Sequence, residues 1–365
     1  MASISEAAAL VRTAAGSGGP DEALLVVDGL TLAVGAGPGA PQILQDVSFT
    51  VRAGEARGFV GESGSGKSLT LRAIMGILPP GVHVTAGTVS FEGRTIVAPG
   101  RDKRVTAQLA ALRGAGISMI FQEPSVALNP VTTVGEQIID AVRRRERLSR
   151  RAARDYALHL MELVGIEDPV SKIRAYPFEL SGGLRQRVMI AAAVAGKPRL
   201  ILCDEPTTAL DVTIQQQIVS LFTHLRDELD AALLYVTHDL AVVAQLCDTL
   251  TVLYSGAVME SRSDLRAALD APRHPYTRAL LDSTPDIDVI GRRLRTIPGN
   301  APTPAGRPDG CPFAPRCERV QDDCRTGTIP DMAAGDGAVV ACLHPLGAPV
   351  SADGSAVPDS RERTP

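Results

Sequence analysis

Between Phe59 and Leu71 the chain reads FVGESGSGKSLTL, which sets Gly61, Gly66, Lys67 and Ser68 in the spacing G-x-x-x-x-G-K-[ST]. A short apolar run precedes this stretch and a helical pattern follows it, the setting a phosphate-binding loop requires. Glycines let the backbone turn so tightly that successive N–H groups aim at one anion. The start of the next helix adds its positive dipole end. Gly61, Glu62, Ser63, Gly64, Ser65, Gly66, Lys67, Ser68 and Leu69 are the residues expected around the phosphates. Lys67 has the length and charge to reach the β- and γ-phosphates, and the Ser68 hydroxyl is a hard oxygen ligand for Mg²⁺. A Gly-rich turn that matches by accident is rare at ordinary residue frequencies. The stretch predicts a nucleoside triphosphate site, for ATP or GTP.

Three further stretches bear on what such a nucleotide is used for. Leu180 to Arg187 reads LSGGLRQR, so Ser181, Gly182 and Gly183 open a helical pattern and make a second anion-binding nest. One nucleotide does not need two nests from one chain. The economical expectation is that the second faces the γ-phosphate of a nucleotide held by another subunit. LILCDEP ends an apolar run with Asp204 and Glu205. An Asp there can hold Mg²⁺ through water, and the next Glu can orient and deprotonate an attacking water. The bland alternative is a carboxylate pair that caps a helix. His238 follows another buried run, LLYVTHD, and from there would contact the γ-phosphate from the side. A lone His is more often structural, but its place after a strand parallel to the Asp204 strand favours function.

These side chains need a scaffold. Leu24 to Val34 and Ile43 to Val51 read as strands, the second alternating, and Arg57 to Gly61 feeds the phosphate loop. A helix is expected from Lys67 to Leu78, a strand at TVSFEG, and a buried strand from Ile117 to Phe121 that ends at Gln122. From Glu123 to Tyr176 helical signals take over, which predicts an all-helical insertion. Its basic run, Arg143 to Arg154, reads as a solvated helix face before it reads as a dock for acidic groups. Strands return at Leu200 to Cys203, Ala232 to Val236 and Leu250 to Leu253. Strands alternating with helices around a phosphate loop imply an α/β fold with a mostly parallel sheet covered on both faces. After Ser261 come two short helical pieces to Leu281, the Pro/Gly-rich IPGNAPTPAGRPDG, a cysteine cluster and a polar tail. A boundary is expected near Met259 to Ser263.

With 45% hydrophobic and 21% charged residues the chain is ordinary for a globular protein, and its net charge of −4 gives no argument for nucleic acid or anionic lipid. No apolar run nears the ~18 residues that span a bilayer. The N-terminus lacks the basic and then apolar order of a secretory signal. A cytosolic chain that meets a membrane only through partners is expected. Of six cysteines, Cys203 and Cys247 sit in apolar patterns and read as core. Cys311, Cys317, Cys324 and Cys342 form C-x5-C-x6-C-x17-C, which in a cytosolic chain points to a metal before disulfides. The spacing has no CxxC knuckle and so fits no usual zinc pattern. A [4Fe–4S] cluster, zinc, and reduced thiols or a disulfide all stay open, with His344 as an alternative ligand.

The combination resembles the nucleotide-binding subunits of ABC transporters over most of the chain. By that resemblance Gly61 to Ser68 is the Walker A loop, and Ser181, Gly182 and Gly183 belong to the signature. Gln122 is the Q-loop glutamine, Asp204 the Walker B aspartate, Glu205 the catalytic glutamate, Asp211 the D-loop aspartate and His238 the switch histidine. The resemblance implies catalytic roles for Glu205, His238, Gln122 and Lys67, with Ser68, Gln122 and Asp204 around Mg²⁺. It implies a P-loop (RecA-like) core with an antiparallel β edge, and two subunits packed head to tail around two ATP molecules. Residues 23–260 would be the ATPase domain, with its helical part at about 123–185. Residues 1–22 would be a flexible lead-in, 261–347 an extension and 348–365 a disordered tail. One family feature is missing: LTLAVGAGPGAP has neither Phe nor Tyr to stack on adenine, which leaves aliphatic side chains such as Val34.

FQEPSVALNP, DEPTTALDVTIQQQI and RHPYTRALL look like the ATPases of oligopeptide, dipeptide and nickel importers. HPYTRAL, His274 to Leu280, reads physically as no more than a short amphipathic helix. The resemblance implies a second ATPase subunit, homologous or identical, two permeases and an extracytoplasmic substrate-binding protein. The chain would then lie peripherally on the cytoplasmic face of the membrane. It also favours an iron–sulfur cluster at the cysteines, and the role expected there is structural rather than redox, because nothing nearby looks like an electron-transfer partner site. The alternatives are an importer of nickel or another small solute, and a soluble ABC ATPase acting on DNA or ribosomes. The single phosphate loop and the lack of a heptad insertion disfavour the latter. Intact Lys67, Asp204, Glu205 and His238 disfavour a catalytically idle partner.

Overall fold

Strands whose side chains are buried on both faces make the centre of the chain, and they do so because their sequences are mainly apolar. Arg57 and Thr251, two of the few polar side chains among them, bond to each other. The computed structural model describes residues 23–35, 37, 39–100, 102–145, 148–208, 210–284, 296–334 and 337–347. The expected lead-in, residues 1–22, and the expected tail, residues 348–365, lie outside them.

The chain opens with β1 (Ala23–Val34), β2 (Gln42–Arg52) and β3 (Ala56–Val60), and then the phosphate loop leads into α1 (Lys67–Ile74). β4 (Val82–Phe91), β5 (Arg94–Val97), α2 (Lys103–Leu112) and β6 (Ile117–Ile120) follow. The helical stretch comprises α3 (Pro124–Ala127), α4 (Val134–Arg145), α5 (Arg150–Leu163), α6 (Pro169–Lys172) and α7 (Gly182–Val194). Strand and helix then alternate through β7 (Leu200–Asp204), α8 (Val212–Leu229), β8 (Ala232–Thr237), α9 (Leu240–Leu246) and β9 (Thr249–Tyr254). Last come β10 (Ala257–Arg262), α10 (Leu265–Asp270), α11 (Pro275–Ser283), β11 (Met332–Ala334) and β12 (Ala338–Val340).

Two sheets result. One is antiparallel, in the order β2-β1-β4-β5; the other runs β11-β12-β10-β9-β3-β8-β7-β6. Within the second, β9, β3, β8, β7 and β6 are parallel, and β10, β12 and β11 add an antiparallel edge. The period of two sorts the side chains of each parallel strand between two cores. Leu200 and Leu202 of β7 pack with Leu234, Phe59 and Leu71 against the antiparallel sheet. Ile201 and Cys203 face the other way, with Leu233, Tyr235, Val188 and Phe222, toward the helices. Gly58 in β3 leaves room for α9, since a Cβ there would lie 2.6 Å from Val243 Cγ1.

Four elements differ from the sequence reading: α1, β4, β5 and α2. α1 stops at Ile74, four residues early, because Gly76 takes φ 61° and closes the helix with Gly76 N–H to Ala73 O and Ile77 N–H to Arg72 O. β4 extends well before TVSFEG, and β5 and α2 were not expected. β10 spans most of the stretch Met259 to Ser263, where a boundary is expected, and pairs with β9 on one side and β12 on the other. The sheet thus runs on into the extension, whose aromatics Tyr276 and Phe313 join the helix-side core. The basic run behaves as a solvated face at Arg143, Arg144, Arg150 and Arg151, all exposed.

Candidate functional site

The phosphate loop leaves β3 at Gly61, where the backbone passes so close to β9 that a Cβ would lie 2.1 Å from Leu253 O. Only glycine fits there. Gly66, at φ 104°, ends the loop as the N-cap residue of α1. Lys67 is 4% exposed, and its Nζ donates to Gly61 O at 2.8 Å and Glu62 O at 3.0 Å. Burial pulls its pKa down from the ordinary lysine value, while Glu205 and Asp204 oppose that pull. The Ser65 hydroxyl is buried with no hydrogen-bond partner among the described residues, an open polar group that suits a phosphate oxygen.

The Asp204 strand meets this loop from the side. Ser68 Oγ donates to Asp204 Oδ1 at 2.6 Å, which joins two of the three oxygen ligands expected around Mg²⁺. Burial raises the Asp204 pKa above the usual carboxylate range, with the Ser68 bond working against it. A divalent cation on this hard-oxygen pair would favour the charged form. Glu205, one residue on, holds a left-handed backbone at φ 43°, a strained conformation for a residue with a side chain. Its N–H donates to Val236 O at 3.0 Å, which fixes the bend against β8. The carboxylate is thereby aimed at three neighbours. Thr208 Oγ1 donates to Oε2 at 2.9 Å, His238 Nδ1 lies 3.2 Å from the same oxygen, and Lys67 Nζ lies 3.8 Å from Oε1. Asp204, Glu205, Lys67, Ser68 and His238, scattered in sequence, meet at the C-terminal ends of adjacent parallel strands, where ligands bind in open α/β sheets.

The remaining predicted residues are more loosely placed. Gln122 is exposed just past β6, whose Ile120 pairs in register with Cys203, and it bonds to neither Ser68 nor Asp204 among the described residues. Asp211 caps α8 by accepting from Ile214 N–H at 3.0 Å. Ser181 caps α7 in the same way through Leu184 N–H at 3.4 Å. Gly182 is exposed, and a Cβ on it would meet nothing within 4 Å. Ser63 and Gly64 are exposed, and Leu69 packs against the core beneath the antiparallel sheet. Val34, the aliphatic candidate for adenine, is 45% exposed.

Two parts of the site escaped the sequence. Thr208 lies in DEPTTALD, and its distance from Glu205 along one turn was the available signal. Glu62 is the larger surprise. It was expected among the phosphate contacts, yet its N–H donates to Tyr276 Oη at 2.9 Å and its carboxylate takes a two-pronged bond from Arg316. HPYTRAL is therefore more than an amphipathic helix.

The cysteines divide as expected between core and cluster. Cys203 and Cys247 are buried, and burial lifts both thiol pKa values. Cys311, Cys317, Cys324 and Cys342 line one cavity together with His274, Phe313 and His344. Burial and the neighbouring sulfurs raise the Cys342 thiol to about 12. Among the described residues, the metal-ligating group whose atoms all lie within 4.8 Å of one another is Asp323, Cys324 and His344, not the four sulfurs. His344 Nε2 sits 2.9 Å from both Asp323 oxygens.

Residues 44–208 match the ABC transporter family model, and residues 262–324 match that of the oligopeptide/dipeptide transporter C-terminal region. The dipeptide transport ATP-binding protein DppD of Bacillus subtilis is 44% identical over 81% of this chain and 87% of its own. The chain belongs to the ABC transporter ATP-binding proteins of the oligopeptide and dipeptide group. OppD of Salmonella typhimurium, an oligopeptide transport ATP-binding protein, is 40% identical over 92% of this chain and 98% of its own. The ATP-binding cassette MJ0796, solved as a dimer in a post-hydrolysis state with ADP and Pi, superposes with a TM-score of 0.58. It shares 28% identity and covers 66% of this chain and 99% of its own. This ABC ATPase has an α/β P-loop fold like that cassette, and no helix among the described residues is long and apolar enough to cross a membrane.

Proposed function

We propose that this chain binds MgATP on the loop from Gly61 to Ser68 and hydrolyses it to drive import of dipeptides or oligopeptides. The observation that carries the reading is the Glu205 carboxylate, fixed by Thr208, His238 and the Lys67 ammonium beside the Ser68–Asp204 pair. Glu205 accepts the proton of a water whose oxygen bonds to the γ-phosphorus, while the bond from that phosphorus to the bridging oxygen breaks and ADP leaves with the electron pair. His238 holds Glu205 and steadies the γ-phosphate, and Lys67 faces the β- and γ-phosphates. Ser68, Asp204 and Gln122 would hold Mg²⁺, which would supply charge neutralisation at the phosphates.

The nest at Ser181, Gly182 and Gly183, exposed at its first two residues, would complete the site of a second ATPase subunit, identical or homologous, and Asp211 would lie at that interface. Two permeases and an extracytoplasmic binding protein complete the importer, with this chain peripheral on the cytoplasmic face. Adenine would rest on Val34 and its aliphatic neighbours.

For the four cysteines the reading is a [4Fe–4S] cluster. Tetrahedral zinc at about 2.3 Å from sulfur needs its ligands within about 4 Å of one another. Four sulfurs that share a cavity without converging that closely suit a larger group. Asp323, Cys324 and His344 are the zinc alternative. Anaerobic purification with iron and acid-labile sulfide in equal amounts supports the cluster; stoichiometric zinc overturns it.

Uptake of a labelled dipeptide by cells that lack this chain tests the transport reading. Uptake should be lost, restored by the wild-type chain, and not restored by Glu205→Gln. Unchanged uptake in the deletion strain would overturn the peptide assignment, and a purified chain that releases no phosphate from MgATP would overturn the ATPase itself.

A further inference from the structure

Glu62 is the first side chain of the phosphate loop, and an acidic group there would repel a triphosphate if left alone. It is not left alone. Arg316 meets it with Nη1 at 2.8 Å from Oε2 and Nη2 at 3.0 Å from Oε1. The same guanidinium donates to Tyr254 Oη at 3.1 Å, Pro298 O at 2.8 Å and Ile297 O at 3.2 Å, so its five N–H donors meet five acceptors. Burial opposes the arginine charge, but the Glu62 and Tyr254 bonds outweigh it and hold the Arg316 pKa above the ordinary value. The Arg316 side chain is 7% exposed and that of Glu62 27%. A forked, charge-assisted pair of this kind is geometrically demanding and strong.

A second brace acts on the backbone of the same residue. Tyr276 is fully buried, and its hydroxyl accepts from Glu62 N–H at 2.9 Å. Its ring packs between Tyr254, at 4.6 Å between centroids, and Phe313, at 5.2 Å. The helix that carries Tyr276 is itself anchored. His274 Nδ1 caps it through Tyr276 N–H at 2.9 Å, and Glu260 accepts from His274 N–H at 2.8 Å. On the far side of the peptide, Glu62 O accepts from Lys67. Glu62 is therefore held at its N–H, its carbonyl and its carboxylate, and two of the three braces come from beyond residue 260.

We propose that Tyr276 and Arg316 are positioning residues for the phosphate loop: the C-terminal extension clamps Glu62, pre-orders the loop and cancels its negative charge before the triphosphate arrives. The proposal rests on the reading of this loop as an ATP site. A pre-ordered loop avoids the entropy cost of ordering on binding, so the clamp acts on nucleotide affinity before it acts on the chemical step. Arg316 stands next to Cys317, which ties the clamp to the cysteine-lined cavity along one short turn. This makes the extension part of the nucleotide site in cis.

Calorimetric titration of the full chain with MgATP and with its non-hydrolysable analogue MgAMP-PNP tests this. Arg316→Gln leaves a carboxylate unpaired in the loop and should weaken binding about tenfold or more, with turnover at saturating ATP changed far less. Adding Glu62→Gln removes the unpaired charge and should restore most of the lost affinity, a coupling that a merely structural role for Arg316 does not produce. Tyr276→Phe keeps the aromatic packing and serves if Arg316→Gln fails to fold; it should weaken binding about threefold. Wild-type affinity in a folded Arg316→Gln or Tyr276→Phe chain would overturn the clamp, as would strictly additive losses in the double variant. Wild-type protein that binds neither nucleotide would instead overturn the ATP reading beneath it.

Discussion

The two glycine nests of this chain are opposites. The loop from Gly61 to Ser68 is finished by its own chain: Gly61 is pressed against Leu253, Lys67 is buried, and Glu62 is gripped by Tyr276 and Arg316. The nest at Ser181 to Gly183 opens α7 on an exposed surface, and a Cβ on Gly182 would touch nothing. The same chemistry, N–H groups at a helix start, is thus built once as a complete cradle and once as an open face. A nest that its own chain leaves open has a function only when something external brings the anion. That asymmetry is what a site shared between subunits requires, and the difference between the nests can be tested glycine by glycine.

The largest effect should come from Glu205, the base in the reaction proposed at the first nest. Glu205→Gln should lower phosphate release by about 10²- to 10⁴-fold while MgATP affinity stays near wild type. Stopped chemistry with intact binding should also leave the chain dimeric in MgATP, visible by size-exclusion chromatography. Undiminished release would remove Glu205 as the base. Next come the glycines. Gly61→Ala forces a Cβ against a backbone oxygen, so it should destabilise the chain by about 1–3 kcal/mol and abolish ATP binding. Gly182→Ala has open space around it and should change stability by no more than about 0.5 kcal/mol, with MgATP still bound. Its loss should appear only in MgATP-driven dimerisation of the Glu205→Gln background. If Gly182→Ala weakens ATP binding to the isolated chain, the second nest is not the open half of a shared site.

The glycine and lysine positions of the first nest were legible in sequence, because such a loop must use glycine where backbone meets backbone, as at Gly61, and carries a lysine for its anion; the contacts those residues make were not. The parallel strands were readable for a similar reason: LILCD and ALLYVT are apolar on both faces and have no other place to go. What brings Glu205 to His238 was legible only as type and order, since the 3.2 Å contact depends on the register of β7 with β8. The braces on Glu62 were not legible at all. Tyr276 and Arg316 lie more than two hundred positions from Glu62, in a helix that looked merely amphipathic and in a turn overshadowed by its cysteines. Long-range polar contacts of this kind carry no periodicity, so composition and spacing give no warning of them. The same holds for β10, β11 and β12, short strands whose pairing ties the extension to the sheet where a boundary was expected.

The smallest effect concerns the outer support of the first nest. His274 is fully buried, and that burial drives its pKa down to about 3 from an ordinary value near 6.5. Its Nδ1 accepts the Tyr276 N–H, so a proton on that nitrogen would break the cap of the helix that presents Tyr276 to Glu62. The sign follows from linkage. Below about pH 6.5 the unfolded chain binds a proton on this histidine and the folded chain does not, so the stabilisation is complete above that pH and is lost as pH falls toward 3. The slope is at most about 1.4 kcal/mol per pH unit from one group. His274→Asn retains a side-chain acceptor for the cap but nothing that titrates. Thermal unfolding between pH 7 and pH 4.5 should therefore fall more steeply for wild type than for His274→Asn, whatever fixed offset the smaller side chain introduces. The second nest is capped by Ser181 and not by a histidine among the described residues, so Gly182→Ala should leave the steeper wild-type slope untouched. Parallel curves for wild type and His274→Asn would mean that the histidine is not held neutral in the fold, and that the brace on Glu62 does not depend on it.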